Sequence, residues 1–589
     1  MSHPIGSGRR FTSLNWFVGA LFVAAVLSQG KTQVVDGQAI VERAAGTNRF
    51  IVRRVDYARR GNIFSADMKP LAQDEDSFEL SVDFARTPKS PALFEDLAAA
   101  SGLPASEFQE LALHGVSGRI WRDPMTAVQA QAVTKVKLEW RVDGISVVRS
   151  GRRAYGLGDA ASGIIGQVRD GRPISGLELS LNSRLAGLDG LTEGLVDRTG
   201  AFLPTRQTAA ARKAVDGRSV VLTVDSSLQI AAAQAVKTAV EGNKADRGIA
   251  IVMDPHTGDV LAIANWPTID PSHEAPEEKT KYSLDLNPAY QSVLEPGSMF
   301  KILTLAKAMD MGVVHENDKV YCKGELQIGN YGRVRCDSHH GVRAHGLVGP
   351  EDAIARSCNV SAATWALKIG YSNMVRYIRA LGLLEKTGVG VPFEVAGEFN
   401  TKEYAKPLQL ATLGFGQSIT STPIALASAF CMLANDGVRP TPRLIAKVGD
   451  KITPAGAPRR VVSQAAARKV LGYMEAVIDT KEGTGARLRI PGYRLAGKTG
   501  TAQKINRRAD DKGYVANFVG FVPMPNPRAM ILVMVDNPQG GRYYGASVAG
   551  PAFVEIARAV IRRFGIPPAQ EVWVDPRARA VKPAVIGKK

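Results

Sequence analysis

The sequence predicts an α/β (α+β) chain with three parts: one N-terminal transmembrane helix, a mixed middle domain, and a larger C-terminal domain in which helices flank an antiparallel sheet. Three observations carry this prediction. A charge-free run near the N-terminus has the length of one membrane span. The middle region mixes short helical and strand-like patterns. Beyond residue 217 the patterns follow the order helix, two strands, helical insert, three strands, helix, which suits one antiparallel sheet covered by helices.

Composition excludes several classes of protein. The chain has 589 residues, 45% hydrophobic and 22% charged, which is ordinary globular usage and excludes a mostly disordered chain. Four cysteines exclude a disulfide-dense scaffold. The net charge of +18 favours anionic surroundings such as lipid headgroups or envelope polymers. Zinc-finger spacing, RNA-recognition motifs and helix-turn-helix patterns are not seen in the sequence, so no nucleic-acid partner is expected.

The N-terminal segment predicts a membrane anchor. Arg9 and Arg10 precede a charge-free run of 20 residues, 11–30, and about 20 helical residues cross a hydrocarbon core of about 30 Å. The basic residues place 1–10 in the cytoplasm as a short tail and the remainder outside it. The strictly apolar part, 16–27, also suits a signal peptide with a weak cleavage site at 26–28. We expect an uncleaved anchor, because no clear Ala-x-Ala site follows, and a cleaved signal is the alternative.

Residues 31–216 predict a mixed pedestal or docking domain. Helical patterns cover 91–100 and 105–114, and strand-like runs cover 144–149 and 177–181. No acid-base or nucleophile cluster stands out in this region, which favours a structural role.

Residues 217–570 predict the larger domain, and 571–589 form a basic C-terminal tail. Asp-Pro-His-Thr-Gly-Asp at 254–259 is typical of a hairpin turn between two apolar runs. The predicted elements are a strand at 219–223, a helix at 225–240, strands at 249–253 and 260–264, a mainly helical insert at 287–474, strands at 494–503, 516–522 and 529–535, and a helix at 550–564.

The first candidate catalytic motif is Ser-x-x-Lys. Ser298 follows a Pro-Gly turn and opens a helical pattern, and Lys301 lies three residues on, on the same face. A serine hydroxyl is a weak nucleophile until a base takes its proton, and a desolvated lysine near a second cation can be that base. Alone, the motif is more typical of a helix-capping serine beside a solvated lysine than of a catalytic pair.

Two further motifs follow in the chain. Ser357 and Asn359 lie two residues apart, where the hydroxyl could relay protons and the amide could bind a substrate amide. Lys498, Thr499, Gly500 and Thr501 lie in a strand-like run. A strand edge can bind an extended peptide, glycine permits close approach, and the lysine and hydroxyls can hold a carboxylate.

Taken together and in this order, the three motifs resemble those of the penicillin-recognising serine acyltransferases. The resemblance to class B penicillin-binding proteins covers roughly residues 50–565. It includes several further segments of the sequence, namely 60–63, 153–155, 254–262, 294–298, 416–418 and 422–423.

The resemblance implies a monofunctional peptidoglycan D,D-transpeptidase. Ser298 would attack a D-Ala-D-Ala stem peptide, form an acyl-enzyme and transfer it to an amine of a neighbouring stem. Lys301, Ser357 and Asn359 would complete the catalytic set, Lys498 to Thr501 would bind substrate, and the N–H groups of Ser298 and Thr501 would form the oxyanion hole. β-Lactams would acylate the same serine, and no cofactor is required.

Membership of this class further implies a single-pass protein of the inner, or cytoplasmic, membrane with its catalytic domain outside the cytoplasm. A glycosyltransferase of the SEDS family and a division or elongation complex would be its partners. Residues 517–521, 526–528 and 543–545 are more similar to the division-type branch than to the elongation-type branch. A β-lactamase and a non-enzymatic penicillin sensor or scaffold are the alternatives. The large pedestal argues against the first, and the intact motifs argue against the second.

Three of the four cysteines lie between the first two motifs or within the second. Cys322, Cys336, His345 and Cys358 have the spacing C-x13-C-x8-H-x12-C. These supply four ligands of the types that structural zinc prefers, although without the tight C-x2-C spacing. The resemblance favours a zinc site, because some class B relatives carry a Cys-and-His pattern here. A structural zinc ion, inert thiols or a plain disulfide, and a redox switch beside Ser357 all remain open.

Overall fold

The computed structural model describes residues 8–31, 51–169, 171–196, 202–207, 212–272, 283–284, 286–337, 344–399, 406–503 and 513–569. The chain divides into two units, each assembled from several segments. The smaller unit comprises Met1–Arg59, Asp76–Ser150 and Gly187–Gly217. The larger unit comprises Arg60–Glu75, Gly151–Ala186 and Arg218–Lys589.

The N-terminal segment forms a helix over Gly8–Gly30, which contains the predicted anchor at 11–30. Its large apolar side chains from Trp16 onward are exposed. Within the part of the chain that the structure describes, no helix combines the length and the apolar character needed to cross a membrane.

The smaller unit contains an antiparallel sheet and a separate helical layer. The sheet orders its strands as Ile51–Asp56, Gly190–Val196 and Phe202–Gln207. Elsewhere, Gly118–Met125 pairs with the end of the long strand Pro70–Asp83. Three helices, Pro91–Ser101, Ala105–Leu113 and Ala127–Trp140, accompany this pair.

The core of that layer is rich in aromatic rings. Phe108 lies 4.9 Å from Trp121 and 6.2 Å from Phe94, centroid to centroid, and all three rings are buried. The helices predicted at 91–100 and 105–114 are confirmed, and the run predicted at 144–149 lies, except for Gly144, in the strand Ile145–Ala154.

The strand predicted at 177–181 is wrong, because a short helix covers Gly176–Ser180. The alternating Leu-Glu-Leu-Ser-Leu pattern suggested a half-buried strand, which would bury every second residue. Instead four consecutive residues, 175–178, are buried, so both Leu177 and Glu178 face the interior. The helix turns the Glu178 carboxylate towards two arginines.

These charges form a cluster of Arg60, Asp74, Arg153 and Glu178, called here the buried ion cluster. Glu178 is fully buried and accepts hydrogen bonds from Arg153 Nε at 2.8 Å and from Arg60 Nε at 2.5 Å. Arg153 also donates to Asp74 Oδ1 at 2.9 Å and to the Gly61 carbonyl at 2.8 Å. Each guanidinium therefore meets a carboxylate, as buried charges require.

The larger unit is built around a five-stranded antiparallel sheet. Its spatial order is Val260–Trp266, Arg247–Met253, Ala529–Asp536, Tyr514–Val522 and Ala496–Gln503. The predicted hairpin therefore lies at one side of the sheet and the Lys-Thr-Gly-Thr motif lies in the last strand at the other side. The predicted antiparallel sheet with flanking helices is confirmed.

Both faces of this sheet are covered. Along Arg247–Met253, Ala250 and Val252 pack into one hydrophobic cluster, while Ile249 and Ile251 pack into the other. The helices Ser226–Gly242 and Gly550–Arg563 supply the first cluster, and the helical insert supplies the second. The sheet is consequently a rigid support for the residues at its edge.

The remaining helices and strands of the larger unit complete this frame. The strands outside the central sheet are Ile63–Phe64, Val168–Arg169, Arg172–Pro173, Val220–Leu222, Val320–Cys322, Glu325–Gln327, Arg333–Arg335, Gly346–Val348, Val438–Arg439, Ile445–Val448, Lys451–Ile452 and Arg459–Arg460. The helices are Asp159–Ile165, Asn182–Leu185, Pro288–Gln291, Gly297–Met299, Phe300–Asp310, Pro350–Ala355, Asn359–Ile369, Tyr371–Ala380, Pro407–Leu413, Pro423–Ala434, Gln464–Tyr473, Ala476–Asp479, Ala486–Leu488 and Gly545–Val548.

Candidate active site

The Ser-x-x-Lys motif lies where a 3₁₀ turn, Gly297–Met299, leads into the helix Phe300–Asp310. Gly297 has a φ of 57°, and a Cβ there would lie 3.0 Å from the Cβ of Ala502. Glycine therefore lets this turn approach the strand Ala496–Gln503, which contains Ala502. Ser298 is half-buried, and no hydrogen bond to its hydroxyl is recorded among the described residues. Lys301, by contrast, is buried, with 1% of its surface exposed.

The Ser-x-Asn motif lies between the helices Pro350–Ala355 and Asn359–Ile369. Ser357 has a φ of 57°, in the left-handed region that residues other than glycine rarely adopt. Asn359 Nδ2 donates to the carbonyl oxygen of Arg335 at 2.8 Å. Asn359 Oδ1 is buried and has no hydrogen-bond partner within the described residues, so it can accept one from a bound ligand.

The Lys-Thr-Gly-Thr motif lies in the strand Ala496–Gln503, whose only neighbour among the strands that the structure describes is Tyr514–Val522. Gly500 stands opposite Asn517, and a Cβ at Gly500 would lie 1.7 Å from Asn517 Oδ1. A side chain at this position would therefore collide with the neighbouring strand. Lys498 is fully buried.

The three motifs meet at the hydroxyl of Ser357. Its Oγ accepts hydrogen bonds from Lys301 Nζ at 3.0 Å and from Lys498 Nζ at 2.9 Å. Lys301 also donates to the Ser357 carbonyl at 2.6 Å, and Lys498 to the Thr499 carbonyl at 2.9 Å. The described residues offer neither lysine a salt bridge within 4 Å, so the acceptors are all neutral oxygens. We call Lys301, Ser357 and Lys498 the lysine pair site.

Burial changes the acidity of both amines. Desolvation lowers the pKa of Lys301 to about 8. Desolvation, with a further contribution from the charge of Lys301, holds the pKa of Lys498 well below its usual value. A neutral amine, which can accept a proton, is therefore accessible near physiological pH.

The structure adds residues that the sequence reasoning did not assign to the site. Thr499 Oγ1 donates to Thr484 Oγ1 at 2.9 Å, and Gly545 N donates to Thr501 Oγ1 at 3.3 Å. The rings of Tyr514 and Tyr543 stack at 4.6 Å, with Tyr544 4.4 Å from Tyr543. The pair Tyr543 and Tyr544 was read only as a mark of the family branch, and Thr484 carried no motif signal.

The four candidate metal ligands also come together. The ligand atoms of Cys322, Cys336, His345 and Cys358 all lie within 4.8 Å of one another. The three cysteines are free thiols and are buried. The fourth cysteine, Cys431, lies outside this group and is also a buried free thiol.

Comparison with known proteins agrees with this geometry. A family model described as a penicillin binding protein transpeptidase domain matches residues 248–558, and one described as a penicillin-binding protein dimerisation domain matches residues 55–222. The chain is 28% identical over 576 residues to the probable peptidoglycan D,D-transpeptidase PenA of Neisseria gonorrhoeae, covering 96% of this chain and 95% of that protein. It is 30% identical over 460 residues to stage V sporulation protein D of Bacillus subtilis, covering 75% of this chain and 70% of that protein.

A solved structure gives the same result. Penicillin binding protein 3 of Mycobacterium tuberculosis, complexed with aztreonam, aligns with a TM-score of 0.66 and 28% identity, covering 88% of this chain and 98% of that one. The predicted family and the predicted enzyme class, a serine-type transpeptidase, are confirmed. The chain therefore belongs to the family of penicillin-binding proteins that carry a transpeptidase domain.

Proposed function

We propose that this penicillin-binding protein is a peptidoglycan D,D-transpeptidase in which Ser298 is the acylated residue. The observation that carries the proposal is the convergence of two buried lysines on one serine hydroxyl, with one of them, Lys301, in the helix that follows the turn containing Ser298. A buried amine with a lowered pKa is the base that a serine nucleophile needs. The names of the related proteins support the same activity.

In the acylation step, neutral Lys301 takes the proton of Ser298 as the Ser298 oxygen attacks the carbonyl carbon of the penultimate D-Ala. The peptide C–N bond then breaks, and the proton passes through the Ser357 hydroxyl to the leaving D-Ala amine. The hydrogen bonds from both lysines to Ser357 Oγ supply this relay. An amine of a neighbouring stem next attacks the ester carbon and passes a proton to Lys301. The ester C–O bond then breaks, and Lys301 returns the proton to the Ser298 oxygen.

Substrate binding uses the last strand of the sheet. Ala496–Gln503 is an edge strand within the described residues, and its outer edge can add the stem peptide as an extended strand. The hydroxyls of Thr499 and Thr501 bind the terminal carboxylate, and the negative charge of that carboxylate favours the protonated form of the buried Lys498 amine behind them. Asn359 Oδ1, which lacks a partner among the described residues, accepts a hydrogen bond from a substrate amide.

Labelling with a fluorescent penicillin tests the assignment of the nucleophile. The adduct should map to the peptide that contains Ser298, and Ser298→Ala should remove it. Ser292→Ala, six residues away in the same segment, is the matched control and should be labelled normally. A long-lived adduct supports a transpeptidase and rapid release supports a β-lactamase. Labelling that survives Ser298→Ala would overturn the assignment.

We also propose that the helix Gly8–Gly30 attaches the chain to the cytoplasmic membrane with the catalytic residues outside the cytoplasm. The positive charges of Arg9 and Arg10 and the exposed apolar side chains that follow support this. After a carbonate wash the full chain should stay in the membrane pellet. A mature form that starts near Gln29 and is released by the wash would show a cleaved signal instead.

The residues at 517–521 and 543–545 support a place in the division-type branch, with a SEDS-family glycosyltransferase as partner. A fluorescent fusion should then concentrate at the septum during constriction. An even distribution along the lateral wall would favour elongation.

A further inference from the structure

Three short strands and one helix end bring four metal-ligand side chains to one point. Cys322 ends the strand Val320–Cys322 and stands opposite Gly346, which follows His345. Cys336 directly follows the strand Arg333–Arg335. Cys358 caps the helix Asn359–Ile369, and its Sγ accepts a hydrogen bond from the N–H of Ser361 at 3.4 Å. Residues far apart in the chain thus present three thiols and one imidazole to a common centre.

Three of the six distances between these ligand atoms are close to those of a tetrahedral zinc site, and all six lie within 4.8 Å. Cys322 Sγ lies 3.6 Å from Cys336 Sγ and 3.4 Å from His345 Nδ1, and Cys336 Sγ lies 3.8 Å from Cys358 Sγ. Zinc bonds of about 2.3 Å to sulfur and about 2.0 Å to nitrogen separate tetrahedral ligands by about 3.8 Å for two sulfurs and about 3.6 Å for sulfur and nitrogen. A ligand set of three cysteines and one histidine is typical of closed, structural zinc sites.

The same four residues adjoin the catalytic Ser-x-Asn motif. Cys358 lies between Ser357, whose left-handed backbone must be held by its surroundings, and Asn359. Asn359 Nδ2 in turn donates to the carbonyl oxygen of Arg335, the residue before Cys336. An ion bound to both cysteines would fix the backbone on each side of this hydrogen bond.

We propose that Cys322, Cys336, His345 and Cys358 bind one zinc ion that holds Ser357 and Asn359 in position for acylation. The positioning role rests on the proposed function of the Ser-x-Asn motif, whereas zinc binding does not. Ser357 and Asn359 touch the reacting groups, and the zinc ligands act on the reaction through them. The metal would be structural, with all four positions filled by protein.

The first test is the metal content of the full chain, purified in detergent with a reductant that does not bind zinc. We expect about one zinc per chain in the wild type and a loss of most of it in His345→Ala, the half-buried ligand whose replacement disturbs the core least. Cys431→Ser is the matched control, since Cys431 is a buried thiol outside the group, and it should retain zinc. Wild-type protein that carries no zinc and takes up none when zinc is added would overturn the site, as would a disulfide between two of the ligands.

The second test separates the positioning role from the nucleophile assignment. Removing zinc from the wild type with a chelator should slow labelling by fluorescent penicillin about 10- to 100-fold, the usual effect of disturbing the groups that orient a site, and adding zinc back should restore it. Equal rates for the stripped and reloaded protein would overturn the positioning role. Failure of the Ser298 assignment would appear differently, as labelling on another residue in both forms.

Discussion

Among its described residues, the larger unit buries positive charge in an ion cluster and in a lysine pair, and the two sites are built in opposite ways. In the buried ion cluster, Arg60 and Arg153 bind the carboxylates of Glu178 and Asp74 through side-chain contacts of 2.5 to 2.9 Å. In the lysine pair site, two amines meet only the hydroxyl and carbonyl oxygens of Ser357 and Thr499 among the described residues. The first arrangement pairs each charge with a carboxylate, whereas the second has no carboxylate within salt-bridge distance of either amine among the described residues.

This difference gives the two sites different roles: the buried ion cluster contributes to stability, and the lysine pair site contributes to catalysis. Removing one partner from a compensated cluster leaves a buried charge without its counter-ion, which destabilises the fold. An uncompensated buried lysine already lies in an unfavourable environment, and its response is a lowered pKa. Arginine suits the first role because it stays charged, and lysine suits the second because it can lose its proton. The four predictions below test this contrast.

The largest effect is expected from Lys301→Met. Methionine has a similar volume and keeps the apolar stem, so the fold should be as stable as before, while the base is lost. Acylation by penicillin should slow by roughly 10²- to 10⁴-fold, the range for loss of a general base. Stopped-flow or gel-based labelling gives the rate, and thermal unfolding gives the stability. Lys307→Met, on the same helix but paired with Asp310 at 2.9 Å, is the control and should acylate normally. A Lys301→Met protein that unfolds at a lower temperature than the wild type would show that Lys301 also stabilises the fold, contrary to this prediction.

The converse variant is Glu178→Gln. The amide retains the shape but removes the charge that two arginines share, and breaking a buried ion pair typically costs about 3–5 kcal/mol of unfolding free energy. The urea midpoint should fall, while the folded fraction still acylates at the wild-type rate. Glu316→Gln removes an exposed ion pair with Lys469 at 2.6 Å and should leave the midpoint unchanged. A slower acylation rate in folded Glu178→Gln protein would show that the two clusters are coupled.

Lys498→Ala should have an intermediate effect on acylation. It removes one of the two donors to Ser357 Oγ and the positive charge behind Thr499. Hydrogen bonds to charged groups contribute about 1.5–3 kcal/mol, so acylation should slow roughly 10- to 150-fold, less than for Lys301. Penicillin and D-Ala-D-Ala substrates should be affected alike, because both carry the carboxylate. An unchanged rate would remove Lys498 from the site.

Much of this architecture could be predicted from the sequence, because the motifs combine local geometry with rare residue combinations. The spacing of Ser298 and Lys301 predicted one helix face, and apolar runs predicted the sheet that carries Lys498. The strand predicted at 177–181 failed because Glu178 must turn inward to meet Arg153, which lies 25 residues away in the sequence. Local patterns carry no information about such a partner.

The hydrogen-bond partners of Lys498 and Asn359 within the site could not be predicted from the sequence either. Lys498 was expected to face a substrate carboxylate, yet its amine donates inward to Ser357, which lies 141 residues away. The sequence predicts that the Asn359 amide binds substrate, yet the nitrogen of that amide already donates a hydrogen bond to the carbonyl oxygen of Arg335. Packing of the sheet edge against the insert sets these directions, and it involves residues such as Thr484 that belong to no motif.

The pH dependence of acylation needs no substitution, and it tests the protonation state of the lysine pair directly. Lys301 must be neutral to accept the Ser298 proton, so the rate should increase with pH. Because burial lowers its pKa to about 8, the rate should rise about tenfold per pH unit below that value and level off above it. An amine with an ordinary lysine pKa would instead keep the rate rising to about pH 10. Labelling rates measured from pH 6 to 10 distinguish the two profiles, and Glu178→Gln, which leaves the lysines intact, should give the same profile as the wild type. A rate that falls with increasing pH would mean that the protonated amine is the active form and that Lys301 is not the base.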